Sequence, residues 1–223
     1  MHPDGRGVSL PEELLLICAD PQSGVLSLPV GISRLLGGAV LTELLLGGHI
    51  GVDKRHIVLV SAVDFQPADG GRYGERPPSS SAGTVFTGRV LTDLATTFNG
   101  RRLNLQRWVN RASKGALNSH LEGLAERGLI TSRRRSVFGP LSVTARIAAH
   151  KDWSHLAADR IRGALPEPVD RRTRHLAALI GALEHRVIAF DEPGARDAWR
   201  SVRALTRDTP IAEATRKQLS TTD

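Results

Sequence analysis

Two stretches near the start of the chain are dense enough in apolar residues to set the architecture. Leu10 to Ala19 is a leucine-rich run behind Ser9 and the acids Glu12 and Glu13. Ser33 to Leu46 is apolar on nearly every face, with one embedded acid, Glu43. Ser9 offers a hydroxyl cap, Pro11 suits a first turn, and two acids sit at the positive end of the helix dipole, so a helix starts at Leu10. It stops at Asp20-Pro21. A second helix without a polar face belongs in the middle of a bundle. Gly47-Gly48 closes it as a left-handed cap does.

Beyond this point short strands alternate with amphipathic helices. His49–Val52 and His56–Val60 flank Asp53-Lys54-Arg55 and predict a small hairpin. Residues 64–83 carry glycines, Pro77-Pro78 and three serines, which predicts a flexible surface loop inside one domain. Val90, Leu91, Leu94 and Phe98 repeat at helical spacing, Asn104–Ala112 is the next helix, and Leu117, Leu121 and Leu124 mark another, ended by Gly128. Leu129–Ser132 and Leu141–Val143 predict a second hairpin, with Arg133–Pro140 as its turn.

Leu156 and Ile161 lie on a helix ending near Gly163. Pro166 and Pro168 break the chain, and Asp170 caps a helix whose stripe runs through Leu176, Leu179, Ile180, Leu183 and Val187. Trp199, Val202 and Leu205 mark a further helix, and Thr209-Pro210 starts a last one. Residues 1–8 are polar and Gly-rich and predict a disordered start. No segment repeats at a fixed period. The pattern predicts a mainly α protein: one compact helical bundle over residues 9–223 around an apolar central helix, with small β-hairpins.

Composition narrows the choice of partner. At 40% hydrophobic but only 4% aromatic, the core must be built from Leu, Val, Ile and Ala. The net charge of +7 favours an anionic partner: nucleic acid, an anionic lipid surface or an acidic protein. The cations are 26 Arg and only 4 Lys. Arginine binds phosphate with two parallel hydrogen bonds, although a high-GC coding bias produces the same excess. Cys18 is the single cysteine, so no intrachain disulfide forms, and its apolar helix makes it a small hydrophobe. The N-terminus lacks a signal peptide, and Leu35–Leu46 falls short of the ~20 residues that a membrane span needs. The expectation is a cytoplasmic protein whose membrane contact is peripheral, on the inner face.

Enzymatic signatures are missing. There is no phosphate-cradling Gly-x-x-x-x-Gly-Lys-Ser/Thr, no Gly-x-Gly-x-x-Gly, no Gly-x-Ser-x-Gly and no His-Glu-x-x-His. The eight histidines have no metal-ligand spacing; His150 and His155, five apart, read as exposed or locally bonded. Glu12 and Glu13 are explained by their place in a first helical turn. No catalytic residue, metal or cofactor is expected. Glu43 is costly to bury unpaired, so it is expected to meet an Arg or a backbone amide of a neighbouring helix and to fix bundle registry.

Basic residues carry the candidate chemistry. Arg107, Arg111 and Lys114 stand at i, i+4 and i+7 and share one face if their helix continues unbroken. Arg133, Arg134 and Arg135 lie at the base of the second hairpin, with Val137-Phe138 in its turn. An exposed ring beside a cationic run suits a membrane interface, where each cation contributes on the order of 1 kcal/mol. The same region supports a rival. Ser113–Arg127 followed by an Arg-rich hairpin is similar to a winged-helix DNA-binding unit, with Asn118, Ser119 and His120 as readers. Glu122 and Glu126 oppose that reading by repelling phosphate. A third reading is a structural interaction module whose charge is incidental.

Several separated blocks then carry a resemblance: Glu12–Ile17 with its Asp20…Gly24 turn, Leu41–Ile50, Leu117…Leu124-Ala-Glu-Arg-Gly-Leu-Ile130 running into a hairpin, and Asp170–Ile180. In order and spacing the chain resembles the Golgi phosphoprotein 3 family from Leu10 to about Leu205. The resemblance implies a helical core decorated by hairpins, and a basic pocket for phosphatidylinositol 4-phosphate. It also implies a hairpin that helps membrane attachment and oligomerisation. In that pattern Lys114 falls where the family has an Arg, Leu28 where a Trp is expected, and Gly37 and Leu117 where two further Arg are expected. Arg34 and Arg111 are the neighbouring charges that could substitute.

The short N-terminus and Arg-rich composition are similar to bacterial, actinobacterial members, where no Golgi exists. The resemblance therefore implies a non-enzymatic adaptor on anionic, phosphoinositide-like lipid. Its headgroup site would use Lys114, Arg111, Arg107 and Arg34, and its membrane-contacting hairpin Arg133, Arg134, Arg135 and Phe138. A protein client and a homo-oligomer are its expected partners besides lipid.

Overall fold

A computed structural model describes residues 7–60, 81–98, 102–138, 141–150, 152–163, 165, 170–183 and 195–221. The described residues form nine helices and five strands. The helices are α1 (Leu10–Ile17), α2 (Ile32–Leu46), α3 (Ala82–Thr97), α4 (Leu105–Ser113), α5 (Ala116–Glu126), α6 (Trp153–Gly163), α7 (Arg171–Ala182), α8 (Ala195–Asp208) and α9 (Pro210–Ser220). The strands are β1 (Ile50–Asp53), β2 (His56–Leu59), β3 (Leu103–Asn104), β4 (Ile130–Phe138) and β5 (Leu141–Ala148). β1, β2 and β3 make one antiparallel sheet; β4 and β5 make a separate hairpin. The protein is thus mainly α with small hairpins, as the apolar pattern predicts.

The apolar second helix is the centre. Leu35, Leu36, Ala39, Val40 and Leu41 of α2 are at most 1% exposed, and α1, α4, α5, α7 and α9 all pack against this helix. Two glycines let neighbours approach to backbone distance. A Cβ on Gly37 would lie 2.4 Å from the carbonyl oxygen of Val109 on α4, and one on Gly38 would lie 2.2 Å from Oγ1 of Thr215 on α9. Small residues at a helix crossing bring the axes closer than Leu would permit.

Glu43 meets both partners expected of it. Its Oε1 accepts from the backbone amide of Leu10 and from Arg172 on α7 at 3.0 Å. Glu12 and Glu13, each 2% exposed, are more than first-turn acids. Glu12 Oε2 accepts from the Ser9 amide and hydroxyl and pairs with Arg127 at 2.7 Å; Glu13 pairs with Arg160 and Arg172. A buried carboxylate needs such partners, and here they come from α5's end, α6 and α7. The network ties the start of α1 to three later segments.

Several boundaries differ from the sequence pattern. Gly7 and Val8 are ordered: Val8 is buried, and the two carbonyls accept from Arg127 and Arg172. Ser81 caps α3 through Thr84 N, so Ala82 and Gly83 belong to a helix rather than to the loop expected over 64–83. Residues 64–80 of that loop, residues 1–6, Pro166–Pro168 and Val187 lie outside the described residues. The second hairpin is much longer than its apolar ends suggest. β4 runs through to Phe138, so Arg133, Arg134 and Arg135 are mid-strand, opposite Ala145, Thr144 and Val143, and not at a base or in a turn. Polar and basic residues extend a strand as well as apolar ones do where the ladder itself satisfies the backbone.

Candidate functional site

Three elements carry the predicted cations. α4 starts where Asn104 Oδ1 accepts from the amide of Arg107, and ends at Lys114, whose extended backbone (ψ 110°) stops it. Gly115, with φ +86°, then starts α5. The helix therefore does not continue unbroken, and Lys114 stands at a corner instead of completing the stripe of Arg107 and Arg111. Arg107 and Lys114 are exposed. Arg111 is exposed too but committed: it pairs with Asp93 of α3 at 3.3 Å and stacks over the Trp108 ring at 4.9 Å. Arg34 on α2 is half-buried, and its Nε is shielded from solvent with no hydrogen-bond partner among the described residues.

The helix directions bring these residues towards one end. α2 runs antiparallel to α9, because Gly31 packs on Leu219 and Gly38 on Thr215. The start of α4 (Asn104 to Gln106) shares a cavity with Pro210, Glu213 and Ala214 in the first half of α9. The end of α4, with Lys114, thus lies at the same end of the bundle as the start of α2, with Arg34. Val30, on the turn leading into α2, is 87% exposed there.

The hairpin points the same way. Gly128 (φ +67°) reverses the chain after α5, with the Leu129 amide donating to the Leu124 carbonyl. β4 then runs back beside α5, leaving a groove lined by Asn118, Glu122, Ile130, Ser132 and Arg146. At ~3.3 Å per residue the nine residues of β4 reach ~26 Å, whereas α5 at ~1.5 Å per residue spans only ~15 Å. The strand is thus longer than the helix it leaves. Its root is held on the other side by residues 24–26: the Leu26 amide donates to Arg146 O, and the Ala148 amide to Gly24 O, each at 2.8 Å. That segment is shaped by Asp20, whose carboxylate accepts from the amides of Gln22 and Ser23. Arg133 and Arg146 are exposed; the latter escaped the sequence reading because it stands alone between apolar residues.

The model of Golgi phosphoprotein 3 (GPP34) matches residues 10–222. The chain belongs to the Golgi phosphoprotein 3 family. No curated protein matches it. Of the four positions at which this family's resemblance implies a phosphoinositide pocket, only Lys114 is charged. Leu28 and Leu117 are half-buried and packed on the core. Gly37 is enclosed by the backbone of Val109 and Ser113, so no side chain fits there. At the other three positions the chain offers no polar side chain that could meet a phosphate.

The DNA-binding rival loses one of its three readers. His120 faces inward, fully buried, edge-on to Phe86 with ring centroids 5.9 Å apart. Burial, and then the charge of Arg127, push its pKa down to about 4, so it is neutral at pH 7. The outer face of α5 shows Asn118, Glu122 and Glu126. Among the described residues no group of His, Cys, Asp and Glu is arranged to hold a metal ion, and no helix is long and apolar enough to cross a membrane. Cys18 caps the end of α1 and donates to the Leu14 carbonyl; burial pushes its thiol up to about 12, which leaves it unreactive.

Proposed function

We propose that this Golgi phosphoprotein 3 family member is a peripheral, non-enzymatic adaptor that docks on anionic membranes through the end of the bundle bearing Lys114, Arg34 and the β4–β5 hairpin. What supports the proposal is the length of that hairpin: counted from Ile130 at ~3.3 Å per residue, Arg135 comes about level with the start of α5, and only the Phe138 end of β4 extends further. Cations at the surface of such a membrane neutralise phosphates, and a ring at the strand end enters the headgroup layer. Val30, exposed on the turn into α2, adds a second apolar contact at this end. Arg107, about two turns back along α4 from Lys114, contributes long-range attraction; Arg111 contributes less, because Asp93 already neutralises it.

Recognition by charge suits these residues better than recognition of one headgroup's stereochemistry, since Leu28, Gly37 and Leu117 offer no polar group. Phosphoinositides would then bind as members of a class of phosphate-rich lipids. The adaptor role implies a cytoplasmic protein with a protein client or self-association, on surfaces away from the membrane. Vesicle flotation tests the docking mode. Flotation should require anionic lipid and fall as salt rises, and the Arg133→Ala, Arg134→Ala, Arg135→Ala triple variant should stay in the soluble fraction. Equal flotation on neutral vesicles would remove the proposal.

A further inference from the structure

A second cationic site lies between α7, α8 and α9, built of residues in none of the motifs above. A cavity of about 200 Å³ is lined by Gly181, Arg203, Thr206, Arg207 and Arg216. Gly181 allows α8 to press onto α7 here: a Cβ on it would lie 2.4 Å from Thr206 Oγ1. Arg203 and Arg207 are one turn apart on α8, both exposed, and neither makes a side-chain hydrogen bond or ion pair with any described residue. Like charges at that spacing destabilise a helix by a few tenths of a kcal/mol, so the pair is unfavourable until an anion neutralises it.

Arg216 is aimed differently. Its Nε and one amino group bond both oxygens of Glu213, at 2.9 and 3.0 Å. Lys217 pairs with the same carboxylate at 3.2 Å. Those bonds hold Glu213 below the usual carboxylate range against the opposing effect of burial. Glu213 is thus spent on two cations and leaves Arg203 and Arg207 uncompensated. Arg207 also lines a neighbouring cavity of about 360 Å³, together with Lys54, Arg55, Gln106, Glu213 and Lys217. Across the two cavities six cations face one acid.

We infer that the paired cavities bind a compound carrying two phosphoryl groups, one held by the Arg203–Arg207–Arg216 fork and the other by Lys54, Arg55 and Lys217, with Arg207 between them. Planar guanidinium groups give the bidentate bonds that phosphate oxygens favour, whereas a single carboxylate ligand would leave half the cations unpaired. The shared chemistry is the diphosphorylated group; a soluble metabolite and a lipid headgroup both supply it.

Calorimetric titration of the full chain with sodium pyrophosphate is the direct test, with sulfate at equal ionic strength as the control for screening. Binding should be saturable and tighter for pyrophosphate than for orthophosphate. It should weaken about tenfold or more with each of Arg203→Ala and Arg207→Ala, because a hydrogen-bonded charge typically contributes ~1.5–3 kcal/mol. Both side chains are exposed and without partners, so melting temperatures should hold. Arg203→Lys with Arg207→Lys should recover part of the affinity. No saturable binding, or equal affinity in the alanine variants, overturns the site.

Flotation on phosphatidylcholine vesicles containing diacylglycerol pyrophosphate, a lipid with two phosphoryl groups in its headgroup, then separates the sources. Reduced flotation of the double alanine variant assigns a lipid headgroup, and unchanged flotation with lost pyrophosphate binding assigns a soluble ligand. The hairpin variant keeps pyrophosphate binding in either case, so this site and the docking surface fail independently.

Discussion

Arg172 of α7 donates to Glu43 of α2 at 3.0 Å, while its other amino group reaches the Val8 carbonyl at 2.8 Å and Glu13 of α1 at 3.3 Å. One guanidinium thereby joins the N-terminal segment, the central helix and α7. About a third of the Arg172 side chain is open to water, but Glu13 is 2% exposed, and although Arg160 still pairs with its Oε1, its Oε2 cannot be left unpaired cheaply. Arg172→Met should therefore cost about 3 kcal/mol, towards the lower end for breaking a buried pair because water screens part of it. Glu43→Gln should cost less, since an amide still accepts from the Leu10 amide. Urea unfolding measures both; a loss below ~1 kcal/mol for Arg172→Met would mean that the network holds nothing together.

Gly37 and Gly88 are both helical glycines, yet they should respond to alanine with opposite signs. A methyl group at Gly37 meets Val109 O at 2.4 Å and the Ser113 amide at 2.8 Å, both backbone atoms that cannot swing aside. Forcing α2 and α4 apart costs about 3 kcal/mol, which outweighs the ~1 kcal/mol that alanine gains in a helix. Nothing lies within 4 Å of a methyl group at Gly88 on α3, so there only the helix gain remains. Thermal unfolding of Gly37→Ala and Gly88→Ala should give a lower and a higher melting temperature than the parent chain. A neutral Gly37→Ala would show that the two helices do not touch as closely as described.

Burial gives His120 a pH signature. Its pKa is about 4 folded, against 6.5 for the ordinary side chain. The unfolded chain therefore binds a proton first as pH falls. Stability from this group is complete above about pH 6.5 and drains away down to about pH 4, by about 3 kcal/mol over the interval. Neither ring nitrogen has a hydrogen-bond partner among the described residues, so His120→Leu removes the titration without orphaning a neighbour. Unfolding free energies of the two proteins, compared between pH 7 and pH 4.5, isolate the effect from carboxylates common to both. Parallel pH curves would place His120 in contact with water.

Much of this was legible in the sequence, and the misses share causes. The central helix and the pairing of Glu43 follow from apolar density around a single acid, a strong signal because burial of an unpaired charge is so costly. The cap at Asp170 could be read because its side chain accepts from an amide three residues on; Asn104, expected inside its helix, caps α4 in the same way. The reach of β4 was not legible, since Arg133-Arg134-Arg135 has neither strand alternation nor a turn residue. Nor was the break at Lys114-Gly115, which depends on a positive φ at one glycine. The α8–α9 cavity was invisible, because Arg203 and Arg207 are ordinary exposed helix positions until Gly181 and Arg216, far along the chain, close around them.

The docking surface itself makes a quantitative forecast. At ~1 kcal/mol for each cation near an anionic bilayer, removal of Arg133, Arg134 and Arg135 takes away ~3 kcal/mol, or about two orders of magnitude in partitioning. Lys114→Ala removes one such contribution, about fivefold. Arg111→Ala should change partitioning less than Lys114→Ala, because its charge is already met by Asp93 at 3.3 Å. The ranking is more telling than the totals. A protein held by diffuse net charge of +7 would respond equally to the loss of any one arginine. A protein docked by the hairpin end responds strongly to Arg133–Arg135 and weakly to Arg111. Sedimentation with phosphatidylserine vesicles across a salt series measures each partition coefficient, and equal responses at all four arginines would leave the hairpin without a special role.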